Sequence, residues 1–358
     1  MYRFPRHGTT QWEEESGSRY EAVSAEQKDQ ARKLKILDSI QATMAPEIER
    51  MNSIILSLLH TDHELVNGIV ENYLKTKGKQ IRPILVMLAA RMFGSIDERV
   101  LNCAAALEML HNATLIHDDV VDQTPLRRGE PTINAVWGNH IAVLIGDLFV
   151  SKALEAGVKT GNLAILKTLS DLGTDLSLGE MSQLFNARFH DFNDEAYYEM
   201  ISKKTASLFM GCVRIGCQAV GAPEEEMELL EEYAYLMGMA FQIRDDIFDY
   251  FPSEDIGKPS GHDLTEGKVT LPLLYALEHG PSEQAEKIRK ILTGDEPLSS
   301  ADISEMQEFA KANGGIEAAC ERMEFMKREG SKLLKKLPDN RSRSYFEEIF
   351  DYIIERRY

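Results

Sequence analysis

The sequence predicts an all-α fold, and three observations carry that prediction. From Lys28 onward, apolar residues recur at three- and four-residue spacing through successive segments. No convincing run of strand-type alternation interrupts them. Short clusters of Gly, Pro and polar residues, of the kind that end helices, separate each segment from the next. Although 358 residues is long for one domain, no Pro/Gly/Ser-rich linker or shift in composition divides the chain. The expected organisation is a flexible tail over residues 1–25 and one large helical domain over 26–358.

Residues 1–25 lack helical periodicity and carry Pro5, Gly8 and Gly17, which is why they are set apart as a tail. Residues 1–30 are polar and acidic where a secretory signal would need an apolar core, so none is expected. Breaks between helices are expected at Lys77-Gly78, Gly94-Ser95, Gln123 to Thr132, Gly221 to Pro223 and Phe251 to Gly267. The apolar stretch Ile141 to Val158 holds Asp147, Lys152 and Glu155, so it reads as a helix of the bundle rather than a membrane span. Two of the loops are basic against an acidic background, one with Arg127 and Arg128, the other with Lys258 and, shortly after, Lys268.

With 43% hydrophobic and 27% charged residues the chain can bury a full core. A net charge of -18 argues against a nucleic-acid partner, which needs basic surface to displace counterions. Cys103, Cys212, Cys217 and Cys320 have no metal-ligand spacing and read as buried thiols in a reducing cytoplasm. The 15 methionines are core filling.

The segment LNCAAALEMLHNATLIHDDVVD is almost uncharged until it ends in Asp118, Asp119 and Asp122, which marks it as a central helix. Asp118 and Asp122 lie one turn apart on one face, where their carboxylates can share cations. Asp245, Asp246 and Asp249 repeat the spacing in MAFQIRDDIFDY. Carboxylates packed this closely at a helix C-terminus repel one another, and divalent cations relieve that. Oxygen-only ligands beside a phosphate partner suit Mg²⁺. Arginine and lysine of the adjoining loops can clamp diphosphate oxygens from the other side. One DDxxD is more often a solvated acidic helix end; two, each after an apolar helix and before a cationic loop, are not easily coincidence.

From Gly78 to the C-terminus the chain resembles the trans-type polyprenyl diphosphate synthases. The resemblance rests on GKQIRP at Gly78 to Pro83, HNATLIHDDVVD, LRRG at Leu126 to Gly129, Gly146-Asp147, GExxQ at Gly179 to Gln183, Lys204 to Ala206, FQIRDDIFD, and GKVTLP at Gly267 to Pro272. It implies the isoprenoid synthase fold, a helical barrel around a deep central cavity, and an enzyme that condenses isopentenyl diphosphate head to tail onto an allylic diphosphate. By that resemblance Asp118 and Asp122 hold two of three Mg²⁺ ions and Asp245 the third. Arg127, Lys204, Thr205, Gln242, Lys258 and Lys268 match contacts to the allylic diphosphate. Lys79, Arg82, His111 and Arg128 match the isopentenyl diphosphate site, with Arg356 and Arg357 placed to close over it. Asp119, Asp246 and Asp249 either ligate or orient ligands and waters. Asp147 and Gln183 either bond buried backbone or support the metals, and Gly146 and Gly179 permit close helix packing.

The growing tail is expected to run from Asp118 back along its own helix, walled by Ala113 and Thr114, which are too small to block it. Leu110 lies roughly 12 Å below Asp118, with Phe149 among the deeper side chains that form the stop. The expected product is a medium or long chain, roughly C30 to C45. The alternatives are a short-chain synthase stopping at about C15 or C20 and a non-catalytic subunit of a heteromeric synthase. A terpene cyclase has no use for a second diphosphate site, and no aspartate or clamp residue expected of a catalyst is missing. A homodimer formed by packing helices is expected, with transient membrane contact for release of an apolar product and no clear amphipathic anchor.

Overall fold

The computed structural model describes residues 36–76, 78–251, 261–294 and 297–356. The expected tail over 1–25, and Lys258 and Arg357, lie outside these residues. Among them the chain is helical almost throughout: α1 (36–43), α2 (Ala45–Leu59), α3 (Glu64–Lys75), α4 (Ile81–Phe93), α5 (Glu98–Val121), α6 (Ile133–Trp137), α7 (Asn139–Lys159), α8 (Leu163–Phe189), α9 (Asp194–Ile201), α10 (Ser207–Val220), α11 (Glu224–Phe248), α12 (His262–Thr265), α13 (Leu271–His279), α14 (Ser282–Leu292), α15 (Ser300–Ala312), α16 (Gly315–Leu334) and α17 (Arg341–Glu355). A π-helical turn, Ser202–Ala206, joins α9 to α10.

Burial follows the apolar pattern. Helix α5 starts where the Asp97 side chain accepts a hydrogen bond from the Val100 amide at 3.0 Å, satisfying an amide that the helix itself leaves open. Apolar residues then surround its axis, and it is buried from Val100 to Ile116 on nearly every side. It packs most extensively on α7, while α4 packs on α10, and α11 on α10 and α16. Ala113 and His117, one turn apart, share a face of α5. At His117 that face meets α7 at Gly146, where a methyl group would come within 2.2 Å of the His117 ring. The approach there needs glycine. A smaller apolar cluster gathers Tyr250, Leu264, Leu273, Met306 and Phe309 around α12 to α15.

The stretch Gln123 to Thr132, expected as a loop, contains a small antiparallel hairpin: Leu126 pairs with Pro131 and Arg127 with Glu130. Its two-residue turn, Arg128-Gly129, has φ of +55° and +80°. Positive φ at both turn residues matches the twist of paired strands, and Gly129 supplies one of them at no steric cost. The hairpin fixes where the two arginines point. No helix among the described residues is long and apolar enough to cross a membrane.

Candidate functional site

Helices α5, α8, α10 and α11 enclose a cavity of about 450 Å³. Asp118 stands on its α5 wall and Asp245 on its α11 wall, so the two aspartate motifs, distant in sequence, face one space. Arg82, His111, Thr114, Lys204, Thr205 and Gln242 line it too, with an apolar lining from Leu115, Leu176, Met181, Leu184, Leu208 and Phe241. Helix geometry explains most of the α5 contribution: His111, Thr114, Leu115 and Asp118 are spaced by three, four and seven residues and so share a face, and His117 and Val121 line the cavity beside them.

Burial raises the Asp118 carboxyl to about 7; the Lys204 ammonium opposes that, and the nearby Glu180 and Asp122 add to it. Burial also raises Asp245, against the pull of Arg356 and Arg82. Asp246 is raised by burial and by the Asp263 charge. In all three, burial, which disfavours the charged form, is the largest cause. Among the described residues no three Asp, Glu, His or Cys side chains gather tightly enough to ligate one ion by themselves. An oxygen-only set of one or two carboxylates per ion fits Mg²⁺, which takes its other ligands from phosphate and water.

The neighbours of each aspartate differ. Asp119 is buried and accepts hydrogen bonds from Arg127, at 2.8 Å from Nε and 2.6 Å from Nη2. Asp119 therefore orients Arg127. Asp246 accepts from the Tyr197 hydroxyl at 2.6 Å and from the Gln242 amide at 2.8 Å, and Gln242 in turn accepts from Thr205 Oγ1 at 2.6 Å. Asp249 accepts from the backbone amides of His262 and Asp263 at 2.9 and 3.1 Å, tying down the start of α12. Asp122, at the C-cap of α5, lies 3.7 Å from Lys268 Nζ, which also pairs with Glu266 at 2.5 Å.

Lys204 and Thr205 sit on the π-helical turn, a widened backbone geometry frequent at functional sites. A methyl group at Gly179 would lie 2.5 Å from the Lys204 backbone nitrogen, so only glycine lets α8 close on that turn. Glu180 and Gln183 then reach Lys204 Nζ, Gln183 accepting at 3.0 Å. Glu180 and Tyr197 were not singled out from the sequence. Glu180 had a local signal, its place between Gly179 and Gln183; Tyr197 had none, because its partner is 49 residues away.

Other expected residues are spread over neighbouring spaces. Arg127 lines an adjoining cavity of about 630 Å³, and Arg128 lines both that one and a third of about 330 Å³ bounded by Gly78, Gln80, Glu108 and Asn112. Lys79 Nζ donates to the Tyr352 hydroxyl at 2.6 Å. Arg82 and His111 line the 450 Å³ cavity, and Arg128 lines the two beside it. The Arg356 guanidinium pairs with Asp245 at 2.5 Å and lies 4.0 Å from the Phe241 ring, which Arg82 approaches to 5.8 Å. Of the expected tail wall, Thr114 lines the 450 Å³ cavity, whereas Ala113, Leu110 and Phe149 are buried outside its lining. Five residues at 100° each turn Ala113 about 140° away from Asp118. Phe149 packs edge-on to Tyr73, with ring centroids 5.7 Å apart. Asp147 is exposed, 3.5 Å from the His117 ring. Cys103, Cys212 and Cys217 are buried, while Cys320, expected to be buried, is partly exposed near the start of α16.

Residues 63–310 match the polyprenyl synthetase family. The chain belongs to that family. It is 37% identical to the octaprenyl diphosphate synthase of Escherichia coli over 305 residues, covering 85% of this chain and 94% of the relative. The fold superimposes on a decaprenyl diphosphate synthase from Rhodobacter capsulatus with a TM-score of 0.83 and 32% identity, over 90% of this chain and 99% of that one. A polyprenyl synthase from Caulobacter crescentus, solved with calcium and isoprenyl diphosphate, gives 0.83 and 32% over 90% and 98%. The all-α isoprenoid synthase fold and prenyl transferase activity expected from the sequence are those of this family.

Proposed function

We propose that this polyprenyl synthetase extends an allylic diphosphate by successive head-to-tail additions of isopentenyl diphosphate and releases a trans-polyprenyl diphosphate of medium or long chain. One observation carries the reading: Asp118 and Asp245 face each other across a cavity whose remaining wall is largely apolar. The carboxylates have the chemistry to hold Mg²⁺, which when bound acts as a Lewis acid on the diphosphate leaving group. Asp118, Asp122 and Asp245 are the residues assigned to hold it.

Lys204 and Gln242 lie on the cavity that holds both aspartates and on the neighbouring space around Asp246 and Lys268. From there Lys204 can meet the negative charge that grows as the allylic C–O bond breaks. Thr205 and Gln242 orient the diphosphate, with Lys268 beside Asp122 and Arg127 held by Asp119. The apolar lining keeps water from the allylic cation. Arg82 and His111 present isopentenyl diphosphate, whose double bond attacks that cation. Burial and the positive charges of Arg82 and Arg128 push the His111 imidazole well below its usual pKa, so it is neutral near pH 7 and can donate one hydrogen bond. Loss of a proton to the departing diphosphate regenerates an allylic product.

The reading includes a homodimer, supported by the exposed apolar side chains of Trp137, Ile141, Leu144, Leu154 and Val158 along α6 and α7. It also includes a reducing, cytoplasmic setting, in keeping with four free thiols.

The test is incubation of the purified protein with Mg²⁺, labelled isopentenyl diphosphate and farnesyl diphosphate, followed by chromatography of dephosphorylated products. The expected result is a ladder ending beyond about C20. A stop at or below that length removes the long-chain claim, and absence of product leaves a partner subunit's role instead.

A further inference from the structure

We infer that Glu108 is a positioning residue for isopentenyl diphosphate, holding Arg82, Gln80 and Arg128 in the arrangement that receives the second diphosphate. The inference rests on the prenyl transfer proposed above. Glu108 lies on α5 one turn before His111 and Asn112, and its side chain lines the 330 Å³ cavity with Gly78, Gln80, Asn112 and Arg128. Burial raises the pKa of the Glu108 carboxyl, and the nearby Arg82, Asn112, Arg128 and Gln80 pull it back down. The Asn112 amide donates to the Glu108 backbone carbonyl at 2.7 Å and its oxygen accepts from Tyr73 at 3.1 Å, so this neighbour of Glu108 is itself fixed.

The groups around Glu108 are held in uncommon conformations. Gln80 and Arg128 both have left-handed backbones, φ +47° and +55°, although neither is glycine. Such strain persists only where surrounding contacts over-determine it, and it concentrates at functional sites. Gln80 is further held to Asn52 at 3.0 Å. Arg128 lies flat against Gly78, where a methyl group would come within 2.6 Å of its Nη2, and donates to the Thr76 carbonyl at 3.1 Å.

Arg82 is stacked near the rings of Phe209 and Phe241, and its buried Nε finds no hydrogen-bond partner among the described residues. A buried guanidinium with an unused donor needs an anion, and Glu108 supplies compensating charge without occupying that donor. Glu108 thus supplies negative charge near both arginines while the Arg82 Nε stays free for a phosphate oxygen.

The test compares the full-length wild type with Glu108→Gln and Glu108→Asp in steady-state kinetics and thermal melts. Glu108→Gln keeps size and removes charge. A positioning role predicts that its KM for isopentenyl diphosphate rises about tenfold or more while KM for the allylic diphosphate stays within about twofold. Glu108→Asp should recover some of that loss. A lower KM for isopentenyl diphosphate in Glu108→Gln would overturn the inference, since the carboxylate would then only repel the substrate. A lowered melting temperature with both KM values unchanged would overturn it too, leaving a structural charge. A wild type that transfers no prenyl group fails the functional reading instead, which separates the two failures.

Discussion

Arg356 and Asp245 form the contact at the site that sequence could least foretell. The guanidinium is only 10% exposed, donates to Asp245 and to the Phe241 carbonyl, and sits over the Phe241 and Phe248 rings, while its own carbonyl accepts from Arg244. A pair 111 residues apart leaves no periodic trace in the chain. The Asp118 to Asp122 spacing, by contrast, is a local property of a helix and could be read directly. The same division holds for Asp119: its DDxxD position was legible, but its bond to Arg127 depends on a hairpin turn that only the Arg128-Gly129 dihedrals reveal. Because Arg356 occupies the carboxylate assigned to a metal ion, a cation and Arg356 compete for Asp245. Arg356→Ala should therefore tighten Mg²⁺ or Mn²⁺ binding to the substrate-free protein by about tenfold, the scale of one charged hydrogen bond. Calorimetric titration with the metal alone checks this, and unchanged affinity would remove the competition.

At the scale of the element, α5 divides its duties by face. His111, Thr114, Leu115, His117 and Asp118 line the cavity, His117 also meets α7 at Gly146, and Ala113 is buried outside the lining. The helix itself was legible, because it is apolar over most of its length. Which face met the cavity was not, since a helix buried all round carries almost no amphipathic signal. That is why Ala113 and Thr114 appeared equivalent as walls for the tail. Their substitution should now separate. Thr114→Phe places a ring beside the apolar lining of Leu115, Leu176 and Met181 and should shorten the product ladder. Ala113→Phe instead overfills a fully buried position and should cost about 1–3 kcal/mol of stability. Product chromatography and urea unfolding of the two variants check the assignment; equal product lengths in Thr114→Phe and wild type would place the wall elsewhere.

Across the whole molecule, the carboxylates of two distant helices are gathered into an interior from which burial tends to expel charge, in a chain whose net charge is already -18. Their convergence was legible only as an implication of paired motifs; the separation of the clamp residues among three adjoining cavities was not, because it depends on how whole helices cross. Stability should show this arrangement through linkage. Burial lifts Asp118 to about 7, so between its ordinary value and that one the folded protein holds a proton that the unfolded chain has released. Raising the pH through this window therefore lowers stability, by up to about 4 kcal/mol for the full shift at 1.36 kcal/mol per unit. Metal and diphosphate act in the opposite sense, because they bind only the folded site with its carboxylates ionised. Ligand at a hundred times its dissociation constant adds about 2.7 kcal/mol. Melts of the metal-free protein should fall from pH 5 to pH 8, Mg²⁺ with inorganic pyrophosphate should restore most of the loss at pH 8, and Asp118→Asn should flatten both responses. If the Asp118→Asn variant kept the wild-type pH slope, the strain would reside in the other buried carboxylates, with Asp246 and its neighbour Asp263 the next pair to remove.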